Sequence, residues 1–275
     1  VCKYYGDKFV QYRNIPGDSL SISSNFSNVI IEDQNENVWI ATDHGLNKYK
    51  RSSGKFTRFF SSKDGKGLSD NAVHTLFIDS QGTMWIGTGN GLNKYNEDSD
   101  TFEHFLYKKD PSLNVVWKIN AIKEDNKGHL WLGTNRGLLK FDPVSNTYRQ
   151  WEKSTSSLIH NFINSIEICN NIIWIGTHRG INKFDLTTEK FIPWTYNHRD
   201  AEELKDEGIN TFYNDNNDQL WIGTYTMGVV KINLHNEKYV RLTTSDAQRH
   251  GLKSNHIRSI IKDRSGTIWI ATKFE

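Results

Sequence analysis

The sequence predicts an all-β chain, a β-propeller of four-stranded antiparallel blades with six repeats in 275 residues. Three observations predict it. The phrase Trp-Ile-Ala/Gly-Thr recurs at Trp39, Trp85, Trp174, Trp221 and Trp269, with Trp-Leu-Gly-Thr at Trp131. The intervals between these tryptophans are 46, 46, 43, 47 and 48 residues, and six copies occupy essentially the whole chain. Each interval holds four short strand-like runs separated by turn residues, which is the spacing of propeller blades. A parallel β-helix needs shorter coils, a β-sandwich does not repeat its sequence, and helical repeats would carry a 3.6-residue period within each unit.

Each element of the repeat has its own reason. The first strand reads Val73-His74-Thr75-Leu76-Phe77-Ile78, with equivalents at Ile119 to Lys123 and Ile257 to Ile261. A turn follows. Six residues before the tryptophan stands Asp33, Asp79, Asp125, Asp215 or Asp263, and three before it Gly82, Gly128 or Gly266, replaced elsewhere by Glu36, Asn171 and Asp218. Asp bonds nearby backbone N–H groups and Gly accepts φ > 0, so Asp-x-x-Gly reads as a hairpin tip. Repeat four is one residue short there and carries Cys169. The Trp phrase forms the second strand. After a short gap comes a third, Gly45-Leu46-Asn47-Lys48-Tyr49, with relatives at Gly91, Gly137 and Gly180. The fourth carries aromatics three apart: Phe56 and Phe59, Phe102 and Phe105, Tyr148 and Trp151, Phe191 and Trp194.

The ends are complementary. Residues 1–12 supply a third and fourth strand, with Lys3-Tyr4, Phe9 and Tyr12 in register with Lys48-Tyr49, Phe56 and Phe59. Residues 257–272 supply a first and second strand. The two halves are expected either to form one composite blade that closes a six-bladed ring, leaving no open edges, or to be parts of a seven-bladed ring. The chain opens in mid-pattern and is read as one propeller, 1–275, of a longer protein.

Composition narrows the function. Net charge is +2, from 34 basic and 32 acidic residues, and the pI is near 8.4. A nucleic-acid-binding domain usually shows a basic stripe and a pI above about 9. No apolar run reaches the length that spans a bilayer, so no membrane contact is expected within this chain. Two cysteines, Cys2 and Cys169, make neither a disulfide framework nor a zinc cluster. The ten histidines are dispersed without metal-ligand spacing, and no nucleophile motif occurs. Neither a metal nor a cofactor is expected.

The run Asn-x-Val-x-x-Leu-x-x-Asp-x-x-Gly-x-x-Trp-Ile-Gly-Thr-x-x-Gly-Leu-Asn-Lys-Tyr stands intact from Asn71 to Tyr95. It resembles the two-component regulator propeller repeat, and the resemblance extends over six consecutive units. Lys3-Tyr4-Tyr5-Gly6-Asp7-Lys8-Phe9 is similar to an early segment of that family. The resemblance implies the periplasmic sensor region of a hybrid histidine kinase of gut Bacteroidetes, in which tandem seven-bladed propellers precede an immunoglobulin-like domain, a membrane helix and the kinase. It further implies a response to breakdown products of complex glycans. The expected partner is a glycan-derived oligosaccharide or another small ligand, with a homodimer as a further possibility.

Recurring framework residues are expected to serve packing. The aligned Lys48, Lys94, Lys140, Lys183 and Lys231 are expected to cover the blade with their stems while their heads reach water. Asn25, Asn71, Asn161 and Asn255 share one position and are expected to bond the turn backbone. Trp117 replaces Asn there, either as a stacking platform or as packing. Function in a repeat scaffold is expected where the repeats differ. The gap between second and third strands offers Asp43-His44, Gly89-Asn90, Asn135-Arg136, His178-Arg179, Tyr225-Thr226-Met227 and Lys273-Phe274. His44, Asn90, Arg136, His178, Arg179, Tyr225, Lys273 and Trp117 are therefore the candidate ligand residues. Hydrogen-bonding groups, an aromatic face and guanidinium groups suit a sugar, including one with an acidic substituent. A glycosidase would need two carboxylates about 5–9.5 Å apart, and this ring of loops offers only Asp43. A propeller glycosidase or lyase and a protein-interaction scaffold remain as other readings. The loop from Tyr196 to Gly208, with a short helix expected at Asp200 to Lys205, is a candidate lid or partner surface.

Overall fold

The computed structural model describes residues 1–4, 6, 8–106, 116–193, 202–236, 238–244 and 251–273. The chain forms two compact units, Val1–Trp131 with Phe141–Thr147, and Leu132–Lys140 with Tyr148–Glu275. Its architecture is that of β-propeller blades, each a four-stranded sheet in sequence order. The blades are β3 (Ser27–Glu32) to β6 (Lys55–Phe59) through β4 (Val38–Thr42) and β5 (Gly45–Lys50), then β7 (Val73–Ile78), β8 (Met84–Thr88), β9 (Gly91–Asn96) and β10 (Thr101–Phe105). Next come β11 (Ile119–Glu124), β12 (Leu130–Thr134), β13 (Gly137–Asp142) and β14 (Thr147–Trp151), followed by β15 (Ile163–Cys169), β16 (Ile172–Thr177), β17 (Ile181–Asp185) and β18 (Lys190–Ile192). The last complete blade is β19 (Ile209–Asn214), β20 (Gln219–Thr224), β21 (Val229–Asn233) and β22 (Tyr239–Leu242). Two two-stranded sheets precede and follow these in the sequence, β1 (Cys2–Tyr4) with β2 (Phe9–Gln11) and β23 (Ile257–Lys262) with β24 (Ile268–Thr272). Among the described residues five blades are thus complete where six repeats were expected. The sixth Trp phrase lies in a hairpin of first and second strands alone, and Trp269 is 44 % exposed where Trp39 and Trp131 are fully buried.

The hairpin tip explains the strict Asp-to-Trp spacing. The Asp33 carboxylate accepts the N–H groups of Asn35 and Asn37, both at 2.9 Å. Its other oxygen accepts the Trp39 indole N–H at 2.7 Å. The same indole bond recurs from Trp85 to Asp79, Trp131 to Asp125, Trp221 to Asp215 and Trp269 to Asp263. Burial works against the charge on Asp33 and Asp125, yet these bonds together hold both carboxyls below the ordinary range. The position before the second strand takes φ between +57° and +91° in all six repeats, glycine or not: Glu36, Gly82, Gly128, Asn171, Asp218 and Gly266. Repeat four, one residue short at this turn, keeps the ordinary sheet order. Asn170 and Asn171, both at positive φ, make a two-residue turn that absorbs the missing residue.

The core lies between successive blades. In the first unit Trp39, Leu46 and Phe59 pack against Val73, Leu76, Ile86 and Phe102. In the second, Trp174 and Ile181 pack with Ile209, Phe212, Ile222 and Val230. First strands lie side by side, β3 with β7 and β7 with β11, and separately β15 with β19 and β19 with β23. That approach is close. A Cβ on Gly223 of the Trp phrase would stand 2.6 Å from Thr211 Cγ2 and 2.7 Å from Ile257 Cγ2.

The lysine row departs from expectation. Lys48, Lys183 and Lys231 pair across the sheet with Trp39, Trp174 and Trp221, and their ammonium groups lie 4.9, 4.8 and 5.3 Å from the ring centroids. The heads rest over indole faces, a cation–π arrangement; Lys48 is buried there, whereas Lys183 and Lys231 stay half-exposed. Lys140 instead meets Glu189 at 2.7 Å.

Candidate functional site

The turns between second and third strands are held by one device. The threonine ending the Trp phrase donates its hydroxyl to the following glycine carbonyl: Thr42 to Gly45, Thr88 to Gly91, Thr134 to Gly137, Thr177 to Gly180 and Thr224 to Gly228. The same oxygen accepts the backbone N–H of His44, Asn90, Arg136, Arg179 or Met227. The glycine N–H then bonds the strand-four-to-strand-one connection, as in Gly45 to Asn71 O and Gly228 to Asn255 O. The side-chain oxygens of Asn25, Asn71, Asn161 and Asn255 accept backbone N–H groups at 2.6–2.9 Å, as expected for turn bonding. A rigid turn therefore presents each variable side chain.

A second device was not foreseen. The first strands carry a β-bulge at their second residue: the register skips Asn28, His74, Asn164, Asn210 and Arg258. A bulge leaves its extra residue out of the ladder and re-aims the side chain. Three of these side chains cross to the neighbouring first strand, Asn28 to Val73 O, Asn164 to Ile209 O and Asn210 to Ile257 O, each at 2.8 Å. His74 and Arg258 break the asparagine series. Burial, and secondarily the Lys118 charge, push the His74 imidazole down to about 4.

His44, Asn90 and Trp117 lie in the first unit. His44 is exposed beside Phe60, ring centroids 5.5 Å apart. Asn90 is half-buried, and its Oδ1 has no hydrogen-bond partner among the described residues. Trp117 is 8 % exposed, so its indole is a packing group and offers no open stacking face. The Asp43 carboxylate takes the Ser24 hydroxyl at 2.5 Å. A polar cleft of about 820 Å³ opens here among Ser61, Ser62, Asp64, Ser69 and His104, none of which the sequence marked.

In the second unit two candidates meet. His178 and Tyr225, from successive turns, lie 6.0 Å apart with rings edge to face. Residues of the blade connections complete the cluster. Phe162 packs on His178 at 4.1 Å, His160 stacks parallel to His178 at 5.8 Å, and His256 meets Tyr225 edge to face at 5.1 Å. The Tyr225 ring covers Gly208, where a Cβ would fall 1.9 Å from Cδ2, so a side chain there would displace the ring. Burial pushes the Tyr225 phenol up, while the Arg258 charge and a hydrogen bond with Asn164 oppose it. The Asn210 amide lies 3.3 Å from His256 Nε2. Arg179 and Lys273 stand exposed at the same set of turns, and the Lys273 N–H bonds His256 O at 2.9 Å. Arg136 is half-buried, its carbonyl held by Gln150 at 2.8 Å. Trp194, Phe274 and the part of the candidate lid at 196–201 lie outside the described residues. A 3-10 turn at Glu202–Lys205 follows, over part of the expected helix.

The arrangement can present aromatic faces, amide donors and cations to a polar ligand. Among the described residues no three His, Cys, Asp or Glu side chains converge to hold a metal ion, and no helix is long and apolar enough to cross a membrane.

Comparison with known proteins agrees with the repeat. The family model for the two-component regulator propeller matches residues 67–90, 112–136, 203–226 and 251–274. No curated protein sequence matches the chain. Among solved structures, the extracellular domain of a hybrid two-component system of B. thetaiotaomicron is 18 % identical, with a TM-score of 0.67 over 95 % of this chain and 38 % of that one. PorZ, a surface component of the type-IX secretion system of Porphyromonas gingivalis, is 19 % identical, with a TM-score of 0.69 over 93 % of this chain and 38 % of that one. This chain therefore spans well under half the length of either. Four of its six repeats match the two-component regulator propeller repeat.

Proposed function

We propose that this propeller is the ligand-sensing, extracytoplasmic region of a two-component sensor, and that it responds to glycan-derived oligosaccharides without catalysing a reaction. The observation that carries the ligand reading is the cluster of Tyr225, His178, His160 and His256. It combines aromatic faces with fixed hydrogen-bonding groups, the inventory a sugar ring needs. The sensor reading is supported by the family of the repeats and by the likeness to an extracellular domain of a hybrid two-component system. Binding transmits a signal only if it favours one of two arrangements of the protein, within the propeller or in a homodimer.

Thermal melting against a panel of neutral and acidic oligosaccharides tests this. Ligand at about 100 times Kd adds about 2.7 kcal/mol, a shift of several degrees for a domain near this size. A shift for one glycan class that Tyr225→Ala abolishes is the expected result. A cooperative melt with no shift across the panel refutes the pocket. The likeness to a secretion-system surface component favours a second reading, a protein-binding scaffold, and that reading would then lead.

A further inference from the structure

The second unit's loop cluster is lopsided in charge. Three cations stand exposed around it: Arg179 on the turn beside His178, Arg258 at the bulge of β23, and Lys273 after β24. None forms an ion pair among the described residues, in contrast to Lys140, Arg149 and Arg241, which pair with Glu189 or Glu203. Arg258 is close enough for its charge to act on the Tyr225 phenol. Glu207 is the carboxylate bonded to the Tyr225 turn. Its two oxygens accept the N–H and hydroxyl of Thr226 at 2.6 and 2.7 Å, and among the described residues it forms no ion pair with these cations. The arginine at 258 is also a departure from the framework, because Asn28, Asn164 and Asn210 fill that bulge position with a blade-to-blade hydrogen bond.

We propose that this cluster selects an anionic oligosaccharide, one carrying a carboxylate or sulfate, with Arg258 and Arg179 receiving the anion and Tyr225 and the imidazoles packing on the sugar. This deepens the glycan-sensing reading and rests on it. A guanidinium receives a planar carboxylate or a sulfate through paired N–H donors.

Isothermal titration of the whole chain tests the proposal with three probes of similar length: an oligogalacturonate, a sulfated glycosaminoglycan tetrasaccharide, and a neutral galactan oligosaccharide. The expected result is binding of one or both acidic probes and none of the neutral one, with affinity falling as salt rises. Arg258→Gln and Arg179→Gln should each weaken acidic binding at least about tenfold, the worth of one charge-assisted hydrogen bond. Their melting midpoints should stay near that of the parent chain, since both residues are exposed. The two acidic probes separate carboxylate from sulfate. Neutral binding of equal strength, lost in Tyr225→Ala, would overturn the anion proposal and keep the glycan reading. Acidic binding that survives both arginine variants would overturn it too. No binding by any probe would remove the cluster as a glycan site altogether.

Discussion

Replacing His74 by asparagine should raise stability and remove a pH dependence at once. His74 occupies the bulge of β7, where Asn28, Asn164 and Asn210 donate to the next first strand. Its imidazole is pushed from the ordinary 6.5 down to about 4, first by burial and then by Lys118. Between those values the unfolded chain binds the proton and the folded chain does not. Stability is therefore full above about pH 6.5 and falls as the pH drops toward 4. For these two values the loss between pH 7.5 and 5.0 is about 2 kcal/mol. The amide of the His74→Asn variant would not titrate in this range and would have the Ile119 carbonyl to donate to, as its counterparts donate to Val73, Ile209 and Ile257, a gain of about 1 kcal/mol at any pH. Urea denaturation of both proteins at pH 7.5 and 5.0 measures this. The difference between them should widen by about 2 kcal/mol at the lower pH at unchanged m-value, with carboxylates common to both cancelling. Parallel pH profiles for the two proteins would refute the buried neutral imidazole.

Three further outcomes are expected. Glu36→Gly should stabilise by about 0.5–1 kcal/mol in chemical denaturation, because Glu36 sits at φ 59° in a turn whose relatives use glycine, and the relief exceeds the added chain entropy; no gain would mean that the turn is unstrained. Gly223→Ala should destabilise by about 1–3 kcal/mol through overpacking against Thr211 and Ile257, whereas Gly54→Ala, with open space around it at φ 68°, should cost only the strain of its backbone; equal losses at the two sites would contradict the close approach of first strands. Asp125→Ala should cost about 2–4 kcal/mol, since the indole of buried Trp131 and the N–H groups of Lys127 and His129 lose their acceptor; a near-neutral result in the same assay would show that the spacing of Asp and Trp is fixed by something other than this bond.

The fold was legible because its cause repeats. A tryptophan, a turn and an aromatic fourth strand must recur wherever one blade packs on the next, and six copies set the strand boundaries within a residue or two. What stayed hidden were interactions that a pattern of apolar and polar residues does not encode. The Asp-to-indole bond lies within a phrase already read as turn chemistry. The lysine row was assigned to water because its position opposite the tryptophans follows only from register. Trp117 was ambiguous because its slot does two jobs. Its backbone carbonyl bonds Gly91 whatever the side chain, so the slot tolerates an indole that then packs inward.

The candidate site shows the same limit more sharply. The variable turn between second and third strands supplied His178, Arg179, Tyr225 and Lys273, but in the connections only the Asn/Trp117 position was weighed, so His160, Phe162, His256 and Arg258 were missed. Those four come from the connection into the first strand and from its bulge. A signal for the bulge was present: aligned on the first strands, the second residue reads Asn28, His74, Asn120, Asn164, Asn210 and Arg258. A large polar residue recurring at one place, mostly after a buried Ile or Val, marks a side chain aimed out of the ladder. Asparagine there ties blade to blade, which is framework. Where the tie is given up the position is free to do something else, and the two exceptions do so differently. His74 is held neutral by burial, whereas Arg258 keeps its charge exposed beside Tyr225. The departure from the series, and not the series itself, is what points to a ligand.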